Sequence, residues 1–208
     1  MLLKRWFGET DNDWDSPCEL ILYGDAREYS EATGAPPQSP AHTHIDADGE
    51  RVLSRRIHLH SPTELTLRAV LPHEVTHAVL AGRFGRRIPR WADEGMAVLT
   101  EPRERIDGHL RTLPRWRDEG LLFSPRDLFD LDDYPPQRAW GSFYAGSVSL
   151  VEFLSKEKGP QTFAKFLRDG LKDGYAPALR RHYGWSFAEV DRRWWRHAFA
   201  GDDGDEAP

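Results

Sequence analysis

Cysteine, methionine and long apolar runs are all scarce in this chain, and each scarcity removes a class of function. The single cysteine, Cys18, cannot close an intrachain disulfide, and two methionines beside it leave no soft-ligand set for copper or an iron–sulfur cluster. No stretch approaches the roughly 18 consecutive apolar residues of a membrane-spanning helix. The opening residues offer only Leu2 and Leu3 before Lys4 and Arg5, short of the apolar core of a signal peptide. The expectation is a soluble, cytoplasmic protein with no membrane partner. An excess of basic charge is also missing: 28 Lys and Arg stand against 34 Asp and Glu, for a net charge of −6. Nucleic acid is therefore not an expected partner either.

What is present suits one compact unit. The 208 residues match a single domain, and eight tryptophans point to a core built on large aromatic anchors. Residues 1–17 lack any hydrophobic period and residues 201–208 are acidic and nearly free of apolar groups. Both ends are expected to be loose, leaving 18–200 as the folded domain. CELILY (18–23) has strand length, and DAREYSEATG (25–34) reads as a helix stopped by Gly34. Residues 35–50 are dense in Pro, Asp and Gly and read as a loop or hairpin tip, before RVLSRRIHLH (51–60) resumes strand alternation. SPTE (61–64) has the form of a capping box with Pro62 at the first helical position, opening a helix to about Gly82 that Pro72 should bend. Helices follow near Pro89, up to Glu119, after the capping signal at 124–127, over 142–159, and in two or three shorter pieces before residue 200. The fold class expected is α+β, with a small, mostly antiparallel N-terminal sheet packed on the 61–82 helix and a mainly helical C-terminal part.

Chemistry concentrates in HEVTH, where His73, Glu74 and His77 lie within that helix. Histidines four apart share one helix face, so both can hold one Zn²⁺ while Glu74 reaches a water beside it. A zinc hydrolase needs those parts: a Lewis acid, room for water, and a carboxylate to take the proton. The string also arises by chance in a few per cent of shuffled chains of this composition, so a third ligand matters. Glu94, 17 positions after His77, sits on its own expected helix, and a turn at GRFGRR would let the two helices pack side by side.

With Pro89, Trp91, Glu94, Gly95 and Ala97 following HEVTH, the sequence resembles the gluzincin metallopeptidases, specifically the peptidase-MA-like family. The resemblance spans roughly residues 52–199, its ligand motifs being the specific part. It implies a zincin-like fold, Zn²⁺ held by His73, His77 and Glu94, and hydrolysis of peptide bonds in a peptide or protein substrate. Glu74 would be the general base. Tyr144 matches the position of a tyrosine that steadies the oxyanion in related enzymes, with Tyr134 its competitor. It also implies that strand 51–60 borders the cleft and pairs by its edge with an extended peptide. Two departures stand out. Val98 occupies the place, one turn after Glu94, where an acidic residue orients a zinc histidine in thermolysin-like enzymes; Asp93 is a candidate from another angle. The Gly-x-Met-Glu-Asn string of aminopeptidases is absent, so cleavage within a chain is the expected mode.

Other features have plainer readings. His42, His44, His58 and His60 read as polar residues of a loop and an edge strand, Cys18 as a small buried hydrophobe, and Trp91 as a wall of the site. The arginine-rich runs 83–90 and 111–117 read as solvated helix faces. The function expected is a zinc endopeptidase; the alternative is a catalytically silent, zinc-bound peptide-binding or scaffold module. Oligomeric state is not encoded in any legible pattern.

Overall fold

The computed structural model describes residues 2–8, 17–49, 51–85 and 88–199. Strand β1 (Cys18–Tyr23) leads to α2 (Ala26–Thr33), after the N-terminal α1 (Leu2–Phe7). Asp25 caps α2 by accepting hydrogen bonds from the backbone N–H of Arg27 and Glu28, each at 2.9 Å. Gly34 ends it in the left-handed region at φ 73°, where a side chain would be strained. The segment 35–50, expected as loop, contains a strand instead: β2 (Ala41–Asp48) pairs antiparallel with β3 (Arg51–His60). Its alanine, histidine and aspartate residues carry little intrinsic strand preference, so pairing with β3 makes the strand and local composition does not.

The sheet order is β1-β3-β2, with β1 parallel and β2 antiparallel to β3. The sheet is thus mixed, not mostly antiparallel, and β3 is its centre. The expectation of an open edge on 51–60 is overturned, because β3 is hydrogen-bonded on both sides; β1 and β2 are the outer strands. Alternation along β3 turns Ile57 and Leu59 toward α3 (Leu71–Phe84), which packs on β2 and β3.

The entry to α3 also departs from expectation. Ser61 sits at φ 46° with its hydroxyl on His60 Nδ1 and does not cap a helix. Two threonines cap it reciprocally: Thr63 Oγ1 accepts from the Thr66 N–H at 3.2 Å, and Thr66 Oγ1 accepts from the Thr63 N–H at 3.4 Å. Residues Thr66–Val70 then form a π turn, in which the Leu71 N–H reaches Thr66 O. Pro72 accounts for this, since it has no N–H to return to the carbonyl four residues back; the wider turn absorbs the defect and leaves Pro72 in the first turn of α3.

The remainder is helical: α4 (Arg90–Val98), α5 (Arg103–Leu110), α6 (Leu113–Asp118), α7 (Pro125–Phe129), α8 (Trp140–Lys158), α9 (Pro160–Asp173), α10 (Tyr175–His182) and α11 (Phe187–Ala198). The Ser124–Asp127 capping box opens α7 as its sequence suggests. Helix α8 runs through the core, against α4, α5 and α9, and the aromatic anchors Trp91, Phe143, Phe163, Phe166 and Trp194 are all buried there. A Cβ on Gly95 would stand 2.7 Å from Ser147 O and 2.6 Å from Val151 Cγ2, so this glycine allows α4 to lie directly on α8. Part of the stretch expected to be loose is ordered: α1 buries Trp6 against Phe163, ring centroids 5.8 Å apart. Residues 9–16 and 201–208 lie outside the described residues. Among the described residues no helix is long and apolar enough to cross a membrane.

Candidate metal centre

Helix α3 carries His73 and His77 one turn apart, and α4 packs beside it, bringing Glu94 to face both rings. Glu94 Oε2 lies 3.4 Å from His73 Nε2 and 3.9 Å from His77 Nε2. Glu94 is 3% exposed, and its Oε2 has no hydrogen-bond partner. A buried carboxylate oxygen without a hydrogen bond is costly unless positive charge stands beside it. The three side chains form a group that could hold a metal ion, with one ligand atom from each lying within 4.8 Å of the others.

The imidazoles are oriented from behind. His73 Nδ1 is 2.8 Å from Glu101 Oε1, and His77 Nδ1 is 2.8 Å from Asp93 Oδ1. A carboxylate can only accept, so each Nδ1 carries the proton and each Nε2 points toward Glu94. That arrangement selects the tautomer a metal ligand requires. Asp93 acts from the angle its position on α4 suggested. Glu101 was not legible, because it lies beyond the end of α4, in the turn where its N–H bonds Val98 O; Val98 itself is core. Arg105 holds the other oxygen of Glu101. Without a metal these carboxylates draw protons onto the rings. Burial opposes charge on both histidines, yet Glu101 and Glu94 raise His73 to about 10, and Asp93 and Glu94 raise His77 to about 9. Burial also opposes charge on Glu94, but the two imidazoles hold it down at about 2. The centre is therefore built around positive charge.

No protein-family model matches this chain, and neither a curated protein nor a solved structure does. The candidate metal centre rests on its own geometry.

Glu74 projects from α3 and is buried. The Thr43 hydroxyl lies 2.6 Å from Glu74 Oε2 and 3.0 Å from the Glu74 carbonyl, which leaves Oε1 as the oxygen without that donor. Thr43 belongs to β2, the strand that the sequence conceals, so this contact had no local signal. The two candidate tyrosines are both near Glu94. Tyr134 donates its hydroxyl to Glu94 Oε1. Tyr144, on α8, has its phenol pushed up by burial and by the Glu94 and Glu74 carboxylates, so it stays protonated; its ring lies 6.0 Å from that of His109.

Several sequence readings change. Trp91 is not a wall of the site: it is fully buried, edge-on to Phe129 at 5.2 Å and Phe163 at 6.1 Å. His42 and His58 are cross-strand partners on the sheet face away from α3, stacked 4.8 Å apart with Nδ1 atoms on Tyr29 and Tyr23. Cys18 is only partly buried and stands outside the metal group. In the arginine-rich runs, Arg115 and Arg117 pair locally with Glu119 and Asp118.

Proposed function

We propose that this chain is a zinc-dependent peptidase of gluzincin type that cleaves within peptide chains. The observation that carries the reading is the buried Glu94 Oε2, with no hydrogen bond, facing two histidine Nε2 atoms whose tautomers are set by Asp93 and Glu101. His73, His77 and Glu94 would hold the ion, the two-nitrogen, one-carboxylate set of a catalytic zinc site. When bound, zinc would polarise the scissile carbonyl and make a water acidic enough to attack it. Glu74 Oε1 would take up a proton from the attacking water and give it to the leaving nitrogen, while Thr43 keeps Oε2 occupied and the carboxylate aimed. Tyr144, protonated across the working pH range, is the side chain suited to donate to the developing oxyanion. The outer strand β2, which carries Thr43, is the part of the sheet placed to meet an extended substrate. A strand so bound would need little side-chain selectivity.

The test is metal content by elemental analysis, together with cleavage of an unstructured protein such as casein. Wild type should carry about one zinc per chain and lose cleavage to a chelator. Glu74→Gln should retain zinc and lose roughly 10²–10⁴-fold in rate. A Glu74→Gln protein that cleaves at the wild-type rate refutes the mechanism, and zinc without cleavage in the wild type points to a binding module.

A further inference from the structure

The loop between α7 and α8 reaches the metal centre through one side chain. Tyr134 is 38% exposed, yet its hydroxyl hydrogen-bonds Glu94 Oε1. Its ring leans on Phe143 at 5.8 Å and Trp140 at 6.1 Å, and no regular element holds residues 130–136 in place. What fastens this loop is Arg90, the first residue of α4. The guanidinium lies over the Tyr134 ring at 5.1 Å from its centroid. Its Nε is 3.5 Å from Asp133 Oδ1, an oxygen that also accepts the Tyr134 N–H at 2.8 Å. Its Nη1 is 3.6 Å from Oδ2 of Asp93, whose other oxygen orients His77.

We propose that Arg90 is a positioning residue for the metal centre, clamping Tyr134 onto Glu94 Oε1 so that Oε2 alone faces the histidines, and steadying Asp93 behind His77. This rests on the metal reading above. The planar guanidinium can stack on a ring and offer several N–H donors at once, which a lysine ammonium cannot. Each contact is modest at a surface position. Joined, they tie the supports of two ligands, Glu94 and His77, to one cation. The assignment also separates the two tyrosines: Tyr134 supports a ligand, and Tyr144 is left to face substrate.

The experiment is zinc affinity by competition with a chromophoric chelator, for wild type, Arg90→Gln, Arg90→Lys, Tyr134→Phe and the double variant Arg90→Gln/Tyr134→Phe. Arg90→Gln and Tyr134→Phe should each weaken zinc binding by roughly 10–100-fold, the range for outer partners of metal ligands. Arg90→Lys should fall between wild type and Arg90→Gln. The double variant should fall short of the product of the two single losses, because both act through one loop. Thermal unfolding of the metal-free variants, expected to match wild type, separates loss of positioning from loss of fold. Unchanged zinc affinity in Arg90→Gln and Tyr134→Phe overturns the inference, including the case in which Tyr134→Phe lowers only kcat. A wild type that binds no zinc overturns the metal reading, and this inference with it.

Discussion

Thr43 shows how much of the proposed chemistry hangs on a single hydroxyl. It donates to a buried carboxylate that must take up and release a proton, and hydrogen bonds to charged groups contribute about 1.5–3 kcal/mol. Thr43→Val keeps the shape and removes the donor. The expected outcome is a kcat lower by roughly tenfold to a hundredfold with zinc content unchanged, read by steady-state kinetics and elemental analysis on the same preparation. Loss of zinc in this variant would mean that Thr43 supports the helix and not the base. Legibility at this scale was uneven. The candidate ligands His73, His77 and Glu94 and the proposed base Glu74 stand in short motifs whose spacing carries their geometry. Their supports, Thr43, Glu101 and Arg90, meet them only through packing, and no spacing rule links a strand residue to a helix residue 31 positions away.

Two elements place the ligands, and the contact between α4 and α8 is the tighter constraint. Gly95→Ala would drive a methyl group into Ser147 O and Val151 Cγ2. A backbone carbonyl cannot swing aside, so α4 must move. The expected cost is about 1–3 kcal/mol of stability, seen as a lower denaturant midpoint, together with weaker zinc binding because Glu94 shifts with its helix. The sheet makes a separate prediction. Burial, with help from His58 and His44, lowers the His42 pKa; burial, with help from Arg56 and His44, lowers that of His58. The unfolded chain protonates near the ordinary value of about 6.5, before the folded one does. Stability from this stacked pair is therefore fully present above pH ~6.5 and is lost as pH falls through the lower folded values. Denaturant midpoints compared between pH 8 and pH 5 should fall more steeply in wild type than in His42→Asn/His58→Asn. Helices were readable where caps, stops and periods are local, as at Gly34 and Ser124. The Ser61 signal misled because the chain leaves β3 in a left-handed turn, and capping passes to Thr63.

At the scale of the whole molecule, the metal would join the two halves of the fold. His73 and His77 belong to the helix on the sheet, and Glu94 opens the helical part, so a ligand shared among them resists their separation. An ion bound to the folded state alone stabilises it by about 2.7 kcal/mol at a free concentration 100 times its Kd. Removing zinc with a chelator should lower Tm by several degrees in wild type and leave Tm unmoved in His73→Ala, measured by calorimetry. A chelator-independent Tm in wild type would show that the centre holds no metal.

The sequence by itself determined the α+β class, the two helices that carry His73, His77 and Glu94, and the choice of those residues as candidate ligands, because helical periods, caps and an i,i+4 histidine pair act over a few residues. Tertiary structure alone decided that residues 41–48 are a strand, that β3 is central, that Trp91 is core, and which carboxylates, hydroxyls and guanidinium stand behind the ligands. Those outcomes depend on atoms brought together from distant parts of the chain, where hydrogen-bond partners and burial are set by packing.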